Sequence, residues 1–185
     1  IELVSGDVYE GELDQGMRTG QGRLERRDGA WYEGDFVNDQ MHGAGTYTWA
    51  DRRVYQGTFR HDKRHGVGAL RWPNGNLYEG AFLENRRTGT GRFSWANNDI
   101  YEGQFLNDQM HGKGLYVWSD GQRYDGMFRD GVKSGRGILT WPTGNKYEGQ
   151  FLEDQRHGLG VLYRSDGSTY QGLFALNQMN GFGVR

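Results

Sequence analysis

Residues Tyr101 to Arg123 read YEGQFLNDQMHGKGLYVWSDGQR, and this stretch decides the fold because the whole chain is built from it. With Tyr101 as position 0, Gly103 stands at 2, Phe105 at 4, Gly112 and Gly114 at 11 and 13, Tyr116 at 15 and Trp118 at 17. Tyr returns at 9, 32, 55, 78, 101, 124, 147 and 170, a spacing of 23 with no insertion or deletion. A period of this length marks a supersecondary unit that cannot bury its hydrophobic face alone and is covered by its neighbours. Each of the eight units has Gly at 2, 11 and 13, which accounts for 24 of the 32 glycines. Glycine this regular is neither a flexible linker nor collagen, whose period is three.

Each unit reads as two strands. Positions 0 to 5 (YEGQFL) alternate, with Tyr, Gly and Phe on one face and Glu and variable residues on the other. Positions 12 to 17 (KGLYVW) put Gly, Tyr or Leu, and Trp on a common face by the same period of two. The polar segment between them, NDQMHG, ends in a glycine suited to a tight turn. The second connection carries DG or NG at 28–29, 74–75, 120–121 and 166–167, a strong hairpin signal. Arg52 and Asn98 replace that glycine in two units, which predicts a looser turn or one of another type there. Glycines facing aromatics across a strand predict rings lying over backbone without Cβ atoms. Stacked at ~4.8 Å per strand, eight hairpins predict a twisted ribbon about 75 Å long.

Residues 1–8 fall on positions 15 to 22. The chain is therefore expected to open on the second half of a preceding repeat, as a cut in a longer array, and to form a single array over residues 1–185. Net charge is −2, from 22 basic and 24 acidic residues that are interspersed. That pattern lacks the basic stripe that nucleic acid requires. With no cysteine there is no disulfide framework, Cys-based zinc site or thiol nucleophile. No apolar run approaches the ~20 residues of a membrane helix and no signal-peptide pattern opens the sequence, so a cytoplasmic, cytoskeleton-associated location is expected.

The YEGxF…HGxG core on a 23-residue period resembles the MORN (membrane occupation and recognition nexus) repeat. The units YEGDFVNDQMHGAG, YQGTFRHDKRHGVG, YEGQFLNDQMHGKG and YEGQFLEDQRHGLG carry the resemblance, which spans essentially the whole chain. Leu13 departs from Phe in the first unit, and Thr19, Thr88, Ser134 and Asn180 stand where the others have His. The resemblance implies an all-β fold, an elongated, twisted, single-layer antiparallel sheet of consecutive hairpins. It also implies non-enzymatic work as a scaffold, a cytoskeletal linker or an appendage to an enzyme.

His42, His65, His111 and His157 share position 10, but equivalent residues of successive hairpins lie roughly 10 Å apart. One zinc ion needs its ligands ~2 Å away. The acids at position 1 (Glu10, Glu33, Glu79, Glu102, Asp125, Glu148) form a ladder without one distinct pair. The G-x-G pairs lack the third glycine and following helix of a dinucleotide site. Neither catalysis nor a cofactor is expected.

Three surfaces remain as binding candidates. Phe36, Trp49, Phe59, Trp72, Phe82, Trp95, Phe105 and Trp118 are expected to line a groove on the aromatic face, since aromatics dominate interface hot spots. Arg18, Arg64, Arg87, Lys133 and Arg156 at position 9 form a broken basic row that could meet phospholipid headgroups, although Asp39, Asp62, Asp108 and Asp154 lie in the same turns. In the last unit the pattern breaks at Ala175, Leu176, Met179 and Phe182, and a sheet edge invites pairing, so a homodimer through the C-terminal repeats is expected. The leading reading is a dimeric scaffold for cytoskeletal or membrane-associated proteins. A peripheral phospholipid-binding module and a regulatory array of a larger enzyme are the alternatives.

Overall fold

The computed structural model describes residues 1–184 as an open antiparallel sheet, with sixteen strands ordered as in the chain and no helix among the described residues. Contacts divide the chain into two units, Ile1–Ala96 and Asn97–Arg185. The first holds β1 (Val8–Asp14), β2 (Met17–Glu25), β3 (Trp31–Val37), β4 (Gln40–Thr48), β5 (Val54–Arg60), β6 (Lys63–Arg71), β7 (Leu77–Leu83) and β8 (Arg86–Ser94). The second holds β9 (Ile100–Leu106), β10 (Gln109–Val117), β11 (Arg123–Arg129), β12 (Val132–Thr140), β13 (Lys146–Leu152), β14 (Gln155–Tyr163), β15 (Thr169–Ala175) and β16 (Gln178–Val184). Each repeat is thus one hairpin of a seven- and, in all but the last, a nine-residue strand.

The register is set by glycine against glycine. Gly103 pairs with Gly114 across β9 and β10, and Tyr101 pairs with Tyr116 two residues away. The Tyr101 ring lies flat over that glycine pair. A Cβ built on Gly114 would stand 2.5 Å from the Tyr101 Cε2, and one built on Gly103 would stand 2.6 Å from the Gly114 Cα. No side chain larger than hydrogen fits there. The buried phenol is satisfied by donating to the Gln104 carbonyl at 2.8 Å.

Two turn chemistries alternate. The first connection is a two-residue turn with positive φ at both positions, as at Asn107 (48°) and Asp108 (70°), the type I′ geometry that matches strand twist. The expected turn glycine is therefore elsewhere: Gly112, at φ 61°, sits at the register shift of β10, where extra residues bulge against β9. The chain has already reversed at Asn107–Asp108, and the two extra residues of the bulge bring Gly114, rather than Gly112, opposite Gly103.

The second connection is a three-residue loop. Gly121 N–H donates to the Trp118 carbonyl at 2.9 Å and Trp118 N–H to the Gln122 carbonyl at 3.0 Å. The looser turn expected at Arg52 is not found. Arg52 adopts φ 69° and keeps the same pair of bonds, Arg52 N–H to the Trp49 carbonyl and Trp49 N–H to the Arg53 carbonyl, both 2.9 Å. Neighbouring hairpins impose the loop, so arginine bears the left-handed backbone that glycine would adopt freely.

Successive hairpins are stapled at both ends. At the first turns, the Asp39 carboxylate accepts the Arg18 amide at 2.8 Å, Asn85 accepts that of Arg64 at 2.9 Å and Asp154 that of Lys133 at 2.9 Å. At the second turns, Asn76 accepts the Ala96 amide at 2.9 Å, Asn145 that of Ser165 at 2.9 Å and Asp99 that of Ser119 at 2.8 Å. Short polar turn residues thus satisfy backbone donors of the adjoining repeat.

Two substitutions test this account by equilibrium denaturation. Arg52→Gly relieves the left-handed arginine and is expected to raise stability by about 1 kcal/mol; no gain would show that the loop carries no strain. Gly114→Ala forces the Tyr101 ring off its seat and is expected to cost about 1–3 kcal/mol, whereas an unchanged midpoint would mean the ring moves freely.

Candidate functional site

The two faces of the sheet differ in kind. On the tyrosine face, the position 0 and position 4 rings form an edge-to-face zipper. In the second unit, Tyr101 meets Phe105 and Phe128, both at 5.1 Å, Tyr124 meets Phe128 at 5.1 Å and Phe151 at 4.9 Å, and Tyr147 meets Phe174 at 4.8 Å. Each such pair contributes about 0.5–1.5 kcal/mol beyond burial. Phe36, Phe59, Phe82 and Phe105 of the expected aromatic groove are all buried in this zipper. Trp49, Trp72, Trp95 and Trp118 flank it at the second connections and are half-buried.

The basic row lies on the same face as the aromatics. Arg64 sits over Trp49, Tyr55 and Phe82 at 5.6, 5.7 and 5.2 Å from the ring centroids, and Arg156 over Trp141, Tyr147 and Phe174 at 5.5, 5.6 and 5.6 Å. Arg18 covers Phe36 at 5.2 Å, Arg87 covers Phe93 at 5.3 Å, and the Lys133 ammonium lies 5.3 Å from Trp118. The same cations reach the next hairpin: Arg64 Nη2 donates to the Asn85 carbonyl at 2.7 Å, Arg156 Nη2 to that of Asn177 at 2.6 Å, and Lys133 pairs with Asp154 at 3.1 Å. Planar guanidinium stacked on rings and forked toward a carbonyl is a packing role. Position 9 lies across from position 4, as Arg64 does from Phe59; of the acids in the turns, Asp39 pairs with Arg18 and Asp154 with Lys133, while Asp62 accepts the Met41 amide.

Burial pushes the ladder phenols up, those of Tyr55 and Tyr101 to about 12. Asp99 is the one buried charged side chain among the described residues. Burial opposes its ionisation, but the Ser119 amide, Asn97 and the Tyr116 hydroxyl, at 3.0 Å, outweigh it and hold the carboxyl below its usual range. Neither arrangement resembles a reacting pair, and among the described residues no group of His, Asp and Glu has the spacing to hold a metal ion.

The opposite face is open. In the second unit its side chains form rows across the strands, and two adjacent rows flank a trough. Leu115, Asp125, Ile138, Glu148, Val161 and Gln171 follow one another by direct pairing. Two residues along the strands lie Lys113 paired with Met127, Arg136 with Gln150 and Leu159 with Leu173. Between the rows runs a trough of about 650 Å³, lined by Met127, Ile138, Leu159 and Val161 among others. Leu159 is 65% exposed and Ile138 38%. The corresponding trough of the first unit, about 520 Å³, is lined by Ala44, Thr46, Gln56 and Thr58, and is smaller and more polar.

The trough lies at positions that vary from repeat to repeat, outside the invariant grid of Tyr and Gly. The signal was present: positions 12 and 14 turn from Ala44 and Thr46 to Leu159 and Val161 along the chain. In the last repeat Ala175 is half-buried, Leu176 is 72% exposed at the final turn and Met179 is exposed on the tyrosine face beside Arg164. The side chain of Phe182 lies outside the described residues.

A sheet of identical hairpins zipped by Tyr, Gly and Phe defines a repeat protein whose conserved geometry is architectural. Eight consecutive stretches, residues 9–31, 32–52, 55–77, 78–100, 101–123, 124–146, 147–169 and 170–185, match the MORN repeat, and the chain belongs to the MORN-repeat family. No curated protein matches its sequence. Among solved structures it is similar to the G-box domain of the microcephaly protein CPAP (12% identity, covering 94% of this chain and 90% of that one, TM-score 0.57). It is also similar to the wild-type TCP10 domain of Danio rerio CPAP (11% identity, 94% and 82%, TM-score 0.55). At these identities the likeness is one of fold. No helix among the described residues is long and apolar enough to cross a membrane.

The buried phenols predict alkaline lability. Because the folded values are raised, their contribution is complete below the ordinary pKa of 10 and is lost as pH rises toward about 12. Phenolate absorbance should show these tyrosines titrating late and together with unfolding. Titration of Tyr101 near its ordinary value in a folded chain would contradict its burial.

Proposed function

We propose that this chain is a non-catalytic scaffold that binds protein through the open face of residues 97–185 and self-associates. The observation that carries the reading is the exposure of Met127, Ile138, Leu159 and Leu173 on one face, between 38% and 65%, with none of the described residues covering them. Contiguous apolar surface rimmed by charge is a property of interaction sites. The tyrosine face spends its rings on its own hairpins, and its basic row is engaged with rings and turns, so neither offers as much free surface. The repeat array supports the scaffold role because equivalent positions recur at a fixed spacing without converging on one reactive centre. Exposed Leu176 at the last turn, together with the trough, supports self-association.

The reading is tested by capture from cell extract on immobilised chain, comparing wild type with Ile138→Arg and Leu159→Arg. Both positions are exposed and the fold should survive. Loss of the captured proteins with an unchanged melting curve is expected; an identical captured set from both proteins would refute the open face as the binding surface.

A further inference from the structure

The charges that flank the trough are arranged by sign. Asp125 and Glu148 stand in the row that contains Ile138 and Val161, while Lys113 and Arg136 stand in the row that contains Leu159. Among the described residues, the side chains of Lys113, Asp125 and Arg136 make no ion pair or hydrogen bond, and Glu148 has only Lys146 of its own strand, at 3.3 Å. The first unit differs here too: on the same face Arg23 is paired with Glu25 at 2.8 Å and Glu33 at 3.5 Å. Beyond the acids a third row on the same face holds Arg123 and Lys146, while across the trough itself an acidic row interspersed with Ile138 and Val161 faces a basic row interspersed with Met127 and Leu159. Apart from the Lys146–Glu148 pair these trough charges have no ion-pair partner among the described residues, so the trough is complementary to itself.

We infer that the occupant of the trough is a second copy of this chain, laid open face to open face about a twofold axis that runs across the strands. Such an axis exchanges the two rows. Lys113 and Arg136 of each copy then meet Asp125 and Glu148 of the other, while Ile138 and Leu159 of both copies close the centre. A twofold axis along the strands would instead lay acids over acids, which like-charge repulsion disfavours. The same patch serves both copies, as an isologous interface requires. Size agrees with this. The face of β10–β15, six strands ~4.8 Å apart and roughly 20 Å long, offers on the order of 600 Å². A standard interface takes about 800 Å² from each partner, so this contact falls at the small end of the range, where reversible association is expected. A foreign partner has no need of balanced, sign-separated rows on this face, whereas a self-complementary contact does.

This inference rests on the self-association proposed above and assigns it to one surface, so its test includes an arm at the last turn. Light scattering during gel filtration, at about 100 µM so that a reversible dimer is populated, is expected to give twice the 21.1 kDa chain mass. Asp125→Lys with Glu148→Lys makes both rows basic, and Lys113→Glu with Arg136→Glu makes both acidic. Each double variant should weaken dimerisation by on the order of 100-fold and run as a monomer. Mixed in equal amounts, the two should form a heterodimer, which also shows that both remain folded. A monomeric wild type overturns the inference, as do double variants that stay dimeric or a mixture that stays monomeric. Dissociation by Leu176→Glu with no effect of charge reversal would move the contact to the last turn, leaving self-association intact but this surface wrong. Monomeric wild type whose capture of other proteins depends on Ile138 and Leu159 would sink the second copy and spare the scaffold.

Discussion

Everything in this protein depends on a phenol ring lying flat against two glycines. Tyr101 covers Gly103 of its own strand and Gly114 of the next, at distances that leave no room for a Cβ. The contact fixes register, because shifting β10 by one residue would put a side chain under the ring and turn every side chain to the other face. It also gives a sheet with no second layer a core of its own. The ring supplies the apolar area that a packed helix or second sheet would otherwise provide, and the phenol hydroxyl finds the Gln104 carbonyl. Edge-to-face contacts with Phe105 and Phe128 join one such seat to the next.

A one-sided core makes the two faces unequal. The tyrosine face is closed by rings and then by the cations of position 9, whose stems lie along the aromatics and whose charged ends reach the following turn. The basic row that reads along the chain as a membrane-facing strip lies over these rings and reaches the following turns. The other face carries whatever the intervening positions hold, free of the architectural constraint. In residues 1–96 it carries small and polar residues around Val67, with Arg23 paired to Glu25 and Glu33; in residues 97–185 it carries Met127, Ile138, Leu159 and Leu173 exposed together.

The turns show how neighbours overrule local preference. Arg52 holds a left-handed backbone at φ 69° because the flanking repeats hold the strands that enter and leave its loop. Leu176 holds φ 49° because it stands at the first position of a type I′ turn, as Asn107 does. In a repeat array each hairpin's geometry is decided by two interfaces as well as by its own residues, so the tight turn appears where type I′ geometry fits the strands and the nearby glycine becomes a bulge.

The period of 23, the strand pairs, the glycine pairs and the tyrosine rings over them were legible in the sequence, because alternation and strict spacing are local and repeated eight times. From that pattern alone followed the family, the open antiparallel sheet and the buried ladder. Three features needed the tertiary structure. Alternation alone puts position 9 on the tyrosine face, but what it meets there depends on the next hairpin, whose ring it covers, as Arg64 covers Phe82. Which phenylalanines stay exposed depends on packing between successive hairpins, since Phe128 closes over Tyr101 from the repeat beyond. The open trough arises from residues far apart in sequence, Lys113 to Gln171, that meet only when six strands lie side by side. Repetition encodes the contacts it repeats; the surface formed by the positions that vary exists only once the strands are assembled.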